Sequence, residues 1–292
     1  MKTAAGPTAR LALYTEVAEQ AASLVIRRYS TSFGMASRML GREVRQHVEN
    51  IYALVRVADE IVDGGADEAG LERQIAARLL NELERDVERS LDEGYSANLV
   101  VHAFAHTARY AGIEPEIIEP FFTSMRMDLS QTEHDQESFE RYVYGSAEVV
   151  GLMCLRVFVV GHTFSADELA TLERGARALG AAFQKVNFLR DLAADVDALG
   201  RSYFPGVVVS ELTDAQKIVL VDDIDADLAA AAATLPLLPP SSRRAVALAH
   251  GLFAELSRRI RRTPATTLIR TRIRVPDPVK LRIAAAAVTG RK

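Results

Sequence analysis

Apolar residues recur at helical spacing along almost the whole chain, and no comparable set of alternating strand segments competes with them. The pattern covers residues 11–29, 44–62, 71–91, 99–111, 117–127, 139–160, 166–194, 226–235, 243–261 and 279–288. Glycine and proline punctuate it at Gly64-Gly65, Gly94, Gly112 with Pro115, Gly161, Gly200, Pro205-Gly206, and from Pro236 to Pro240. About ten helices joined by mostly short loops follow from that spacing. The expected fold class is all-α, a helical bundle forming a single domain over residues 1–292, with residues 1–20 as a stretch that can be poorly ordered. The longest irregular segment, residues 201–213, is either a lid or a plain connector.

Composition narrows the setting. The single cysteine, Cys154, cannot form an internal disulfide, and it stands in an apolar run where an inert thiol is expected. Residues 1–13 have no long apolar core or small-residue cleavage site, so no secretory signal is expected. The apolar run 149–160 is short and interrupted by Arg156, which reads as a buried helix. A cytoplasmic protein is expected. The net charge is −4, yet residues 241–292 carry thirteen Lys or Arg against two acids, Glu255 and Asp277. A solvated basic face explains most of these. Attraction to an anionic membrane surface or to substrate diphosphates is the functional reading. No nucleic-acid motif accompanies the patch, so no nucleic-acid partner is expected.

Two segments carry the chemistry. Around Arg56-Val-Ala-Asp59-Glu60-Ile-Val-Asp63, the acids Asp59 and Asp63 lie at i, i+4, with Arg56 one turn earlier. In Gln184-Lys-Val-Asn187-Phe-Leu-Arg190-Asp191-Leu-Ala-Ala-Asp195, the oxygen-bearing side chains of Asn187, Asp191 and Asp195 repeat that spacing. Like charges one turn apart repel, so each column needs a cation or an opposing basic group. Mg²⁺ suits such a set, because it takes one or two carboxylates and completes its shell with water and substrate phosphates. Arg56 and Arg190 can add charge-assisted hydrogen bonds to phosphate oxygens. Either acidic pair alone reads as solvated helix surface; two of them among apolar neighbours read as a site.

At these residues the sequence resembles the squalene/phytoene synthase family, and most of all its bacterial phytoene synthases. The resemblance begins in Tyr29-Ser30-Thr31-Ser32-Phe33 and Arg45, and continues through residues 52–63 and Met127-Asp128-Leu129. It extends through residues 142–151, 183–195 and Gly200-Arg201-Ser-Tyr203-Phe-Pro205 to Arg272 and Lys280. It implies an isoprenoid synthase type of bundle with a central cavity. It further implies that Asp59, Glu60, Asp63, Asn187, Asp191 and Asp195 hold Mg²⁺, or Mn²⁺ in its place. Ser30, Ser32, Phe33, Arg56, Gln184, Arg190, Arg201, Tyr203, Arg272 and Lys280 would bind the diphosphate or close over it. Tyr142, Ala147 and Gly151 would line the reacting centre, the small residues letting a prenyl chain pass close to the helix. Glu60 stands where Asp is commoner, and Phe253 lies near where some members carry tyrosine.

The implied reaction is head-to-head condensation of two geranylgeranyl diphosphates to phytoene through a cyclopropyl (prephytoene) diphosphate. Asp59, Asp63, Tyr142, Asp191 and Asp195 are the catalytic set. Squalene or dehydrosqualene synthesis from two farnesyl diphosphates is the alternative, and NADPH is expected only for squalene. A noncatalytic helical scaffold is the alternative of another class. Prenyl diphosphates are the expected partners, with peripheral membrane contact at most. His102 and His106, at i, i+4, lack a third ligand in the sequence, so they and the other histidines read as surface or satisfied core residues.

Overall fold

The computed structural model describes residues 9–199 and 203–289, apart from the side chains of Ser32 and of residues 193–199. Among the described residues every regular element is helical. Contacts divide the chain into two compact units, residues 1–115 and 116–292.

In the first unit, α1 (Ala9–Tyr29), the short α2 (Thr31–Ser37), α3 (Arg42–Val62), a single turn α4 (Gly65–Glu68), α5 (Arg73–Glu93) and α6 (Leu99–Ala111) follow one another. Residues 9–20, expected as poorly ordered, instead form the first half of α1, anchored by the fully buried Ala18. Helices α1, α3 and α6 pack mutually, and α5 covers α3 and α6. Ala18, Ala22, Ala53 and Ala103 meet at the centre, where small side chains let three helix backbones approach. The same interface buries polar groups in matched sets: Asn50 donates to the Thr107 hydroxyl at 2.9 Å, and the His47 ring Nδ1 lies 2.9 Å from the same oxygen. Gly94 and Gly112 end α5 and α6 at φ 77° and 64°, a region that L side chains rarely adopt.

The second unit contains α7 (Pro115–Ser130, starting at the boundary), α8 (Gln136–Val143), a π turn (Tyr144–Glu148), α9 (Val149–Val159), α10 (Ala166–Leu199), α11 (Asp214–Thr234), α12 (Pro240–Arg262), α13 (Ala265–Leu268) and α14 (Asp277–Thr289). Helix α10 packs against α9, the π turn, α11 and α12, while α14 rests on α12. Glycines set the closest approaches. A Cβ at Gly145 would stand 2.1 Å from the Pro120 carbonyl oxygen, one at Gly151 2.4 Å from that of Ala176, and one at Gly180 2.5 Å from that of Ala147.

The run Gln136–Val159 is, among the described helices, the one stretch long and apolar enough to cross a membrane, but half of its apolar window is buried inside the protein. Val149, Met153, Leu155, Val157 and Phe158 of α9 are core residues, as expected of a buried helix. The surrounding protein pushes the Cys154 thiol up to about 12, which keeps it protonated. Of the segment expected to be irregular, residues 203–213 are described: they hold one 3₁₀ turn (Val209–Glu211), and Tyr203, Phe204, Val209 and Leu212 are buried.

Candidate active site

In the first unit the chemistry collects where α3 ends. Ser30 caps α2, its hydroxyl accepting the Phe33 N–H at 3.0 Å, and the Phe33 ring lies 6.4 Å from that of Tyr52 on α3. The Arg56 guanidinium lies over the Tyr29 ring at 4.5 Å, donates from Nη1 to Asp59 at 2.6 Å and from Nη2 to Glu60. Its Nε is buried without an acceptor. Tyr29, outside the expected site set, is thus part of the arginine's seat; no apolar period singles out such a residue.

Glu60 departs from its expected place among the metal ligands. One carboxylate oxygen holds Arg56 and the other accepts the Gly65 N–H at 2.8 Å. Burial alone would raise its pKa, but the hydrogen bonds from Arg56 and Gly65 outweigh it and hold the carboxyl below its ordinary range. Asp63 stands just beyond the helix: α3 stops at Val62, and Asp63 is its C-cap, its N–H bonded to the Asp59 carbonyl at 2.9 Å. The i, i+4 column therefore ends on a residue already leaving the helix.

Burial pushes the Asp59 carboxyl up to about 6, against the pull of Arg56 and with added repulsion from Asp63 and Glu60. Its side chain still has 41% of its surface open to water, so the shift reflects the density of surrounding protein rather than full enclosure. The native state binds a proton here that a free carboxylate near 3.8 would release, so a cation at Asp59 must displace that proton below about pH 6. The concentration of Mg²⁺ needed for half-maximal activity is expected to rise as pH falls through 6. Asp59→Asn should lose that pH limb while needing more Mg²⁺ throughout, which a matrix of Mg²⁺ and pH in the rate assay reads directly.

In the second unit α10 carries the matching set. Asp191 lies between two guanidiniums: Arg190 reaches it from Nη2 at 2.5 Å, and Arg272, from the segment between α13 and α14, reaches it from Nε at 2.7 Å. The Asn187 side-chain oxygen, one turn earlier, is buried with no hydrogen-bond partner among the described residues. Gln184 is half-buried, three residues before Asn187 on the same helix. Lys280, expected at the diphosphate, is instead held by Asp277 at 3.0 Å within the first turn of α14. The side chains of Ser32 and Asp195, and Arg201, lie outside the described residues.

Beside Asp191 the same unit builds an aromatic wall. Tyr203 stacks on Phe188 at 4.0 Å and lies 5.6 Å from Tyr142, while Phe139 and Phe204 close the group. His134, which sequence spacing did not single out, lies 5.1 Å from Tyr142. Ala147 and Gly151 receive a different explanation from the expected one. The missing side chain at Gly151 is required by the Ala176 carbonyl, and the Ala147 carbonyl itself packs on Gly180. The close approach of α9 to α10 accounts for glycine at 151, and that of the π turn to α10 for glycine at 180.

Among the described residues no three His, Cys, Asp or Glu side chains converge to hold a metal ion by themselves. Each unit offers hard oxygen donors, Asp59 and Asp63 in the first and Asn187 and Asp191 in the second, and the Asn187 oxygen, partnerless among the described residues, fits a cation that also draws ligands from phosphate.

Residues 26–278 match the family described as squalene/phytoene synthase. The chain belongs to the squalene/phytoene synthase family. Members of this family are prenyltransferase-type enzymes acting on prenyl diphosphates. The chain is 28% identical to the 15-cis-phytoene synthase of Enterobacter agglomerans over 255 residues, covering 79% of this chain and 82% of that protein. It is also 28% identical to the phytoene synthase of Mycobacterium tuberculosis over 284 residues, 90% of this chain and 88% of the relative. A solved dehydrosqualene synthase shares the fold with a TM-score of 0.78 at 21% identity, over 95% of this chain and 98% of that one.

Proposed function

We propose that the chain joins two geranylgeranyl diphosphates head to head to give phytoene, with residues 1–292 acting as one domain. The observation that carries this reading is Asp191 gripped by Arg190 and Arg272 beside the partnerless Asn187 oxygen. Two cations and an anion are assembled where a metal-bound diphosphate would replace the internal pairing. Members of the family act on prenyl diphosphates, and the relatives named phytoene synthase support the C20 substrate.

Asp59, Asp63, Asn187 and Asp191 would hold Mg²⁺, or Mn²⁺ in its place, with Asp195 as a further ligand. That ion, when bound, neutralises charge on the diphosphate oxygens. Arg56, Arg190 and Arg272 donate to the departing diphosphate as its C1–O bond breaks. Phe139, Tyr142, Phe188, Tyr203 and Phe204 present π faces to the allylic cation and exclude water from it. The C2–C3 double bond of the second substrate attacks C1 of the first, and loss of a proton closes the cyclopropane. A second ionisation, rearrangement and proton loss give the C40 triene centre; two diphosphates and two protons leave in all. The departing diphosphate or the Tyr142 hydroxyl accepts those protons. A cytoplasmic enzyme with peripheral membrane contact through its basic C-terminal region fits the oily product.

Purified protein with Mg²⁺ and C20 diphosphate is expected to yield a C40 hydrocarbon by liquid chromatography and mass spectrometry, and an Asp59→Ala/Asp191→Ala double variant none. A C30 hydrocarbon from C15 diphosphate alone would keep the mechanism and overturn the substrate, NADPH dependence then separating squalene from dehydrosqualene. A folded protein that condenses no pair would leave the scaffold reading standing.

A further inference from the structure

We infer that Glu60 is a positioning residue for Arg56 and not a metal ligand, and that the Gly64-Gly65 turn is the device that fixes it. The inference rests on the reading of this site as a diphosphate site. It starts from where the two carboxylate oxygens go. Oε1 is held by Nη2 of Arg56, four residues back on α3, and Oε2 by the backbone N–H of Gly65, five residues on. A glutamate side chain spans that gap between a helix face and the turn beyond the helix end; an aspartate, one methylene shorter, reaches less far.

Gly64 belongs to the same arrangement. A Cβ there would lie 2.6 Å from the Glu60 Oε2 and 2.9 Å from its carboxyl carbon, so any side chain at 64 pushes the carboxylate off its seat. The two nearest contacts are with the end of a flexible side chain, which can move without unfolding the helix, and the third is with the Glu60 Cα at 3.2 Å. A side chain at 64 thus competes directly with the Glu60 carboxylate for its place.

The consequence falls on Arg56. Asp59 takes Nη1, Glu60 takes Nη2 and the Tyr29 ring covers one face, so the guanidinium is fixed in plane and tilt. Nε remains the donor with no acceptor, buried and pre-aligned. A diphosphate oxygen is the anion that this donor suits, because Arg donates to phosphate with directed, charge-assisted bonds. Glu60, both of its oxygens engaged by Arg56 and the Gly65 N–H, sets the geometry of the arginine that meets the anion.

The test separates anion from metal on the full-length chain, with inorganic pyrophosphate as the probe and isothermal titration as the readout. Glu60→Gln keeps an oxygen for the Gly65 N–H but turns an amide N–H₂ toward a guanidinium. The expected result is a roughly tenfold weaker pyrophosphate Kd at saturating Mg²⁺, with the Mg²⁺ midpoint at saturating pyrophosphate within about twofold of the unaltered chain. Asp63→Asn, as the comparison, should shift the Mg²⁺ midpoint by about tenfold. Gly64→Ala should reproduce Glu60→Gln although it removes no polar atom, and the double variant should be no weaker than either single one, with thermal midpoints unchanged. A Glu60→Gln shift in the Mg²⁺ midpoint equal to that of Asp63→Asn would make Glu60 a ligand and overturn the inference. So would an unchanged pyrophosphate Kd in either variant. An unaltered chain that binds no pyrophosphate with Mg²⁺ would instead bring down the diphosphate reading itself, and the inference with it.

Discussion

Replacing Asp191 by alanine is expected to lower kcat/KM for prenyl diphosphate condensation by about 10³-fold while leaving the protein folded. Asp191 is the acid that Arg190 and Arg272 share, at 2.5 and 2.7 Å. Its loss removes a proposed metal ligand and at the same time frees the two guanidiniums proposed to receive the diphosphate. The arginines cannot take over the ligand's work, because a guanidinium is always charged and donates only. Folding should barely register the change. The Arg272 side chain is 53% exposed, and an ion pair that opens to water contributes about 0–1 kcal/mol, while Arg190 and Asp191, 22% and 21% exposed, are adjacent in sequence and tie no two elements together. Steady-state kinetics paired with a thermal melt checks both halves. A melt that collapses along with activity would make Asp191 a structural residue. A folded variant that keeps even a tenth of the activity would remove it from the metal set.

That internal pairing has a wider consequence for binding. Arg56 is committed to Asp59 and Glu60, and Arg190 and Arg272 to Asp191, so cationic and acidic members of the proposed site neutralise one another before any ligand arrives. Metal alone must pull acids from arginines, and diphosphate alone must pull arginines from acids. The two together satisfy both sides at once, which favours their joint binding.

The helices were legible wherever one face is apolar and the other polar. Residues 44–62 and 99–111 read as helices, and α3 (Arg42–Val62) and α6 (Leu99–Ala111) match within two residues. The first twelve residues of α11 were not legible, for a physical reason. There the buried side chains are Lys217, Val221 and Ile224, a column opened by a lysine that Asp214 holds at 2.7 Å, and acids at its margins add charge: Lys185 of α10 reaches Asp223 at 2.5 Å, and Arg261 of α12 reaches Asp222 and Asp225 at 2.6 and 2.9 Å. A search for apolar period passes over an interface of that kind. Within the site, residue identities and their spacing were readable, but allegiances were not. Nothing in the order of residues 56–65 says that Glu60 turns back to Arg56 and forward to Gly65, because the C-terminal end of α3 decides it. Lys280 likewise read as a phosphate contact from the resemblance alone, whereas its neighbour Asp277 lies one helical turn away and takes it.

The small residues of 142–151 show the same limit on the packing side, and they carry the second large effect. Gly145→Ala is expected to cost about 3 kcal/mol of stability, the upper end of what an added methyl does in a filled interior. The new Cβ would stand 2.1 Å from the Pro120 carbonyl oxygen and 2.2 Å from the Ser124 hydroxyl. The first of these is backbone of α7, which cannot swing aside as a side chain can. The Ser124 hydroxyl is already committed, donating to the Tyr142 carbonyl at 3.1 Å just before the helix widens into the π turn. Alanine is the better helix former by about 1 kcal/mol, so helix propensity works against the predicted sign and a measured loss understates the clash. Gly34→Ala supplies the control. Its Cβ would meet only the Ile26 carbonyl oxygen, at 3.7 Å, an ordinary contact in a helix, so stability there should hold or rise. Urea unfolding of both variants reads the contrast as a lowered midpoint for Gly145→Ala alone. Equal midpoints would mean that α7 can draw back from the π turn, and that glycine at 145 answers to something other than the Pro120 carbonyl.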